Sequence, residues 1–251
     1  MRTWQVSVLV LLGALGTTQA AVVVPNVCSA SVGNFGINTP TRNLARTYQC
    51  VIDASQFAGL SVGDQITGLH WRAMSDPSAN TTATWPASTA SWANFDIYIS
   101  TATTTPGTIS NTFAANEGAD KTAVRLGAYS VAAGAYVSSG VTATVSPWGP
   151  LITFTTPFTY SGGGITVTLR HTGNDTGTAY NVDGVAATNT AMGYGTAFAA
   201  RAASAASPYT ATTGTSSPFV VTQFEASPAP TPSSLAILGL GGLAISRRRR
   251  S

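Results

Sequence analysis

Apolar and polar positions alternate with a period of two along several short stretches of this chain. Ile165, Val167 and Leu169 point one way while Thr166, Thr168 and Arg170 point the other, so residues 165–171 predict a strand with one buried face. Phe95, Ile97 and Ile99 repeat the pattern over 95–100, and residues 46–52 and 65–72 are rich in aromatic and β-branched side chains. Shorter strands are expected at 123–126, 141–145, 151–154 and 191–195, with 219–225 closing the series. Gly68 marks a candidate bulge, Pro147-Trp148-Gly149-Pro150 a break, and Gly162-Gly163-Gly164 a sharp turn after Phe158 and Tyr160. Between the ends no helical period persists and no fixed repeat recurs. About eight or nine short strands joined by Gly, Pro, Asn and Asp turns predict an all-β fold. The expected form is a two-sheet antiparallel sandwich, jelly-roll-like, flanked by an N-terminal signal helix and a short C-terminal apolar helix.

The two ends break the pattern. Arg2 precedes an apolar run from Val6 to Gly16, and Thr17, Thr18, Gln19, Ala20 and Ala21 follow. Positive region, apolar core and small residues are the order of a secretory signal peptide, with cleavage expected between Ala20 and Ala21. The alternative is an uncleaved anchor, although the core is shorter than the roughly 20 residues a spanning helix needs. At the other end Pro228, Pro230 and Pro232 form a stiff linker, and an apolar stretch from Leu235 to Ile245 runs into Arg247, Arg248, Arg249 and Arg250. An apolar helix followed at once by arginines keeps those arginines on the cytoplasmic side of a membrane. The expected organisation is therefore a signal peptide over 1–20, a β-sandwich domain over 21–226, a Pro-rich linker over 227–232 and a sorting segment over 233–251.

The C-terminal residues Pro230, Pro232, Ser233, Ser234, Leu235 and the glycine-spaced run to Leu243, with Arg247, Arg248, Arg249 and Arg250, resemble a PEP-CTERM sorting signal. The same kind of segment is also described as an ice-binding protein C-terminal domain. Ala229 and Thr231 stand where the signature glutamate between prolines would be. The resemblance implies export, passage through the inner membrane, and processing by an exosortase, a membrane cysteine protease, with release to the cell surface or matrix. Residues 95–100, 116–127 and 152–163 resemble parts of the sandwich domains found in other proteins with such tails, which implies Phe158 and Tyr160 in the core.

Charge narrows the partners. Removing Arg2 and the four terminal arginines from 12 Lys+Arg leaves 7 against 9 Asp+Glu, a net of −2 for the domain. Lys121 is the one lysine, and no basic run lies outside the tail, so a nucleic-acid partner is not expected. In an exported chain Cys28 and Cys50 are expected to form a disulfide, the alternative being two buried thiols. Closing a loop of about 22 residues would contribute roughly 3 kcal/mol.

Chemistry is sparse. His70 and His171 read as strand-face histidines, and no Gly-x-Ser-x-Gly elbow accompanies the many serines. Glu117 and Glu225 are the two glutamates available as a carboxylate pair. Asn174-Asp175, Asn181-Val182-Asp183-Gly184 and the 116–120 loop offer oxygen ligands for Ca²⁺, or simply Asx turns. Trp85 and Trp92 lie in a polar stretch where ring faces could stack on sugars, with core packing as the competing reading. Thr166-x-Thr168 and Thr142-x-Thr144 are the pairs that would fit ice-matching ranks. No catalytic residue, cofactor or metal is assigned. The expected function is a structural or interaction protein of the envelope or extracellular matrix, with exopolysaccharide binding as the alternative and ice binding or hydrolysis behind it.

Overall fold

The computed structural model describes residues 20–203 and 209–229. The signal segment up to Gln19 and every sorting residue from Pro230 onward, the expected apolar helices included, lie outside the described residues.

In chain order the strands are β1 Ala20–Val24, β2 Phe35–Ile37, β3 Arg46–Ile52, β4 Gln65–Trp71, β5 Thr84–Trp85, β6 Ala90–Trp92, β7 Phe95–Thr101 and β8 Thr122–Arg125. They continue with β9 Tyr129–Val131, β10 Tyr136–Val137, β11 Ile152–Thr159, β12 Ile165–His171, β13 Val182–Val185, β14 Phe198–Ala202, β15 Thr215–Ser217, β16 Phe219–Val220 and β17 Thr222–Ser227. Helical structure among the described residues is confined to short 3-10 turns. The protein is all-β.

Two sheets dominate. One has the order β1-β17-β4-β11 and the other β15-β14-β3-β12-β7-β8; β16-β13-β2 and the pairs β10-β5 and β6-β9 make up the rest. Every pairing of these strands is antiparallel. Tyr48, Cys50 and Leu169 from the larger sheet and Leu69, Trp71 and Phe224 from the smaller line one cavity of about 20 Å³, and all belong to one buried apolar core. Phe158 and Tyr160 are buried in that core.

The strongest sequence patterns became strands at the expected places, β3, β4, β7 and β12 among them. Residues 151–154 belong to a longer strand, β11, which carries Pro157 and a register shift between Thr153 and Phe158. A proline with no N–H is tolerated there because β11 is at the sheet edge. Residues 219–225 divide at Val221, so that β16 joins the three-stranded sheet and β17 the four-stranded one.

Two expected strands are corrected. Residues 141–145 form exposed turns, because Gly140 (φ 67°) and Ala143 (φ 70°) take left-handed conformations and the Ser139 hydroxyl donates to the Thr144 carbonyl at 2.8 Å. Residues 191–195 lie in and after a 3-10 turn, Thr190–Met192, capped by the Asn189 side chain and ended by Gly193 at φ 100°. Residues 141–145 alternate strictly and 191–195 only weakly, yet in both local turn hydrogen bonds outcompeted a ladder.

The outer face of β12 departs from the expected wet surface. Thr166 and Thr168 are each 1% exposed, because residues 102–118 fold over them. Thr166 Oγ1 donates to the Asn116 carbonyl at 2.6 Å, and Thr168 Oγ1 to Glu117 Oε1 at 3.0 Å. Gln49 Nε2 donates to Thr168 Oγ1 (2.9 Å) and Asn116 Nδ2 to Gln49 Oε1 (2.7 Å), so each buried polar group finds a partner. Buried threonines cannot form ice-matching ranks, and Thr142 and Thr144 sit on turns rather than a flat face.

The strand register places both described ends together. Ala20 lies opposite Ala226 and Val24 opposite Thr222. β4 runs from Gln65, opposite Ser227, to Trp71, opposite Thr222. Ala20 and Ser227 therefore share one pole, and β4 leads away from it toward the other.

Candidate functional site

Beyond Trp71 the chain continues through Arg72, Ala73 and Met74 to a loop at the pole away from Ala20 and Ser227. Ala73 bridges Val182, and the Met74 N–H donates to the Asn181 carbonyl at 3.0 Å, which sets this loop beside the lead-in to β13. Asn80 then locks the two segments: its Nδ2 donates to the Asn181 carbonyl (3.0 Å) and its Oδ1 accepts the Asn181 N–H (2.7 Å). Asn181 Nδ2 donates in turn to the Ala79 carbonyl. Between these segments lies a cleft of about 340 Å³, lined by residues that include Asn80, Thr81, Thr84, Trp85, Thr178 and Tyr180.

The base of the cleft is aromatic. Trp85 and Tyr180 stack at 5.8 Å between centroids with an interplanar angle of 13°. Trp85 Nε1 donates to Thr178 Oγ1 at 3.2 Å, and the Tyr180 hydroxyl faces the Thr82 and Ala83 carbonyls at 3.3 Å each. Burial pushes the Tyr180 hydroxyl up to about 12, so it stays neutral.

The expected sugar-stacking pair is corrected. Trp85 is 4% and Trp92 2% exposed, and their rings are 6.2 Å apart edge to face. Trp92 also packs on Phe95 (5.4 Å) and Tyr129 (5.7 Å). Neither presents a free ring face; Trp92 belongs to the core and Trp85 reaches the cleft only at its base. Aromatic area is worth more in a desolvated cluster than on a loop surface, which the polar neighbours in sequence concealed.

The cysteines are also corrected. Cys28 and Cys50 are buried free thiols rather than a disulfide. Cys50 faces between the sheets from the middle of β3, while Cys28 ends the 3-10 turn Asn26–Cys28 beside Arg72 and Asp183. Burial pushes each thiol up to about 12, leaving both as small apolar side chains without thiolate character. The pinning of the N-terminal segment falls instead to an ion pair. Arg72 Nη2 donates to the carbonyls of Cys28 (3.1 Å) and Ser31 (2.6 Å), and Asp183 Oδ1 accepts the Gly33 N–H at 2.9 Å.

The candidate Ca²⁺ loops are structural. Asp183 lies on β13 bound to Arg72, and Asn174 spends its side chain on Thr176, Thr41 and Thr178 in an Asx turn. Asp175 accepts the Ser91 N–H, while Asp120 accepts the N–H and hydroxyl of Thr101. Among the described residues no group of three or more His, Cys, Asp or Glu could hold a metal ion.

The possible acids and bases do not converge. Glu117 accepts from Gln49 and Thr168 and pairs with Lys121 at 2.7 Å over the six-stranded sheet. Glu225 lies on β17 in the other sheet, 3.5 Å from His70 Nε2, while His70 Nδ1 meets the Gly149 carbonyl at 2.8 Å. His171, on β12, lies between the Thr39 carbonyl (2.8 Å) and the Gly173 N–H (3.0 Å). Accepting from Gly173 at Nδ1 requires the proton on Nε2, and burial holds this imidazole down at about 4.

No family model matches the chain, and neither does any curated protein or solved structure.

Asn80, Thr178, Tyr180 and Asn181 carry no motif by which sequence reasoning could have joined them. Arg72 had a faint signal, a charged residue directly after an apolar strand. Among the described residues no helix is long and apolar enough to cross a membrane.

Proposed function

We propose that this is an exported, non-enzymatic protein of the cell envelope or extracellular matrix, in which one β-sandwich domain is presented from a membrane-directed C-terminal tail. The observation that carries the reading is the pairing of β1 with β17, which brings Ala20 opposite Ala226. An N-terminal export segment and a C-terminal sorting segment would then leave the domain side by side. Both can occupy one membrane surface while the opposite pole points away from it.

In this reading the two large sheets are the layers of a sandwich, wound in a jelly-roll-like manner; the residues both contribute to one cavity support that packing. The signal peptide directs secretion and is removed between Ala20 and Ala21. The apolar stretch and its arginines hold the chain in the inner membrane until an exosortase-like enzyme releases or transfers it. Fractionation of cells expressing the full chain and a chain lacking residues 233–251 tests this. The full chain is expected in the membrane fraction before processing and the shortened chain outside it; equal distribution overturns the proposal.

A further inference from the structure

We infer that the cleft between residues 79–87 and 178–181 binds an uncharged saccharide unit. This rests on the reading of the domain as surface-presented and names what its outward pole takes.

The cleft lies beyond the end of β4 that points away from the termini, where a tethered domain meets its surroundings. Its volume of about 340 Å³ falls within the roughly 300–1,000 Å³ of small-ligand sites. No Lys, Arg, His, Asp or Glu is among the described residues lining it. A phosphate, uronate or amine would leave its hydration shell without meeting a counter-charge, which is costly. A wholly apolar ligand would cover the free Thr81 and Thr84 hydroxyls without satisfying them, at about 1–3 kcal/mol for each group left unpaired. An uncharged ring rich in hydroxyls meets both constraints.

Two kinds of polar group line the walls. Asn80 and Asn181 are fixed by their reciprocal bonds, so the cleft shape is formed before a ligand arrives. The exposed Thr81 and Thr84 hydroxyls have no hydrogen-bond partner among the described residues and are available to ligand hydroxyls. Trp85 and Tyr180, stacked on each other, close the floor of the cleft, which the C–H groups of a sugar can touch without a free ring face to stack on.

The test follows the Trp85 indole N–H of the isotopically labelled full chain by NMR during titration with neutral gluco-, galacto- and manno-oligosaccharides, with uronic-acid oligosaccharides as the contrast. At least one neutral series is expected to shift that resonance saturably, and the uronates to leave it in place. Ala179→Trp fills the cleft from an exposed position and is expected to weaken binding by roughly tenfold or more. The Thr81→Ala/Thr84→Ala double variant is expected to weaken it while retaining the parent's thermal midpoint. Absence of any neutral saccharide response, equal binding of uronates, or unchanged affinity in both variants overturns the inference. Such a failure leaves tail-dependent fractionation untouched, so the two proposals fall separately.

Discussion

Arg72 Nη2 lies 2.7 Å from Asp183 Oδ2, with each side chain 1% exposed. Arg72 Nε donates to the same oxygen at 2.8 Å, and the guanidinium lies 4.9 Å from the centroid of the Trp148 ring. Burial raises the Asp183 carboxyl above its ordinary range, with Arg72 and the Gly33 N–H pulling the other way. The pair joins the end of β4, strand β13 and the segment from Cys28 to Gly33.

Breaking this pair from one side should cost more than replacing both members, because only the single change leaves a buried charge without its counter-ion. Asp183→Ala leaves a buried guanidinium uncompensated and is expected to cost about 3–5 kcal/mol. Arg72→Met with Asp183→Leu removes both charges but leaves the Gly33 N–H and the Cys28 and Ser31 carbonyls without these partners, at about 1–3 kcal/mol for each group that water does not reach. Urea denaturation of the three proteins measures the difference, and equal losses would show that the charge itself is not what the fold depends on.

Acid should destabilise the protein through His171. Its folded-state value is depressed from 6.5 to about 4, so the unfolded chain binds more protons between those limits. The contribution is present above about pH 6.5 and is lost as pH falls through about 4, roughly 3 kcal/mol in all. His171→Gln should flatten stability against pH in that window. Parallel pH profiles for parent and variant would exclude His171 as the source.

Cys28 and Cys50 should behave as protected thiols. Alkylation of the native protein is expected to be slow at both and rapid at both after denaturation, with no reductant needed. A denatured chain that takes up label only after reduction would demonstrate a disulfide instead.

Trp92→Ala should unfold or severely weaken the domain, at about 3–5 kcal/mol for a buried aromatic. Trp92→Phe retains most of the packing with Phe95 and Tyr129 and should cost much less. Thermal midpoints distinguish the two outcomes; a harmless Trp92→Ala would mean that the ring faces solvent.

The legible parts of the fold were those whose signal is local. The alternation across 165–171 and 95–100 and the β-branched density at 46–52 marked strands that are present as read. β14 escaped because Phe198, Ala199, Ala200 and Ala202 carry no alternation; its place is set by pairing with β3. β1 escaped because Ala20 and Ala21 read as a cleavage site, although they pair with Ala226 and Glu225. In the cleft Trp85 and Asn181 had been singled out, Asn181 only as part of a candidate Ca²⁺ loop, and no spacing rule connects them with Asn80, Thr178 and Tyr180.

What the chain determined alone is its all-β character and the inward direction of Ile165, Val167 and Leu169, because a strand's two faces follow from neighbouring residues. Tertiary structure decided that Thr166 and Thr168 would be covered, that Trp85 and Trp92 would be buried, and that Arg72 would meet Asp183. Those outcomes depend on which distant segments come into contact, and burial and ion pairing acquire their energy only once those segments exclude water.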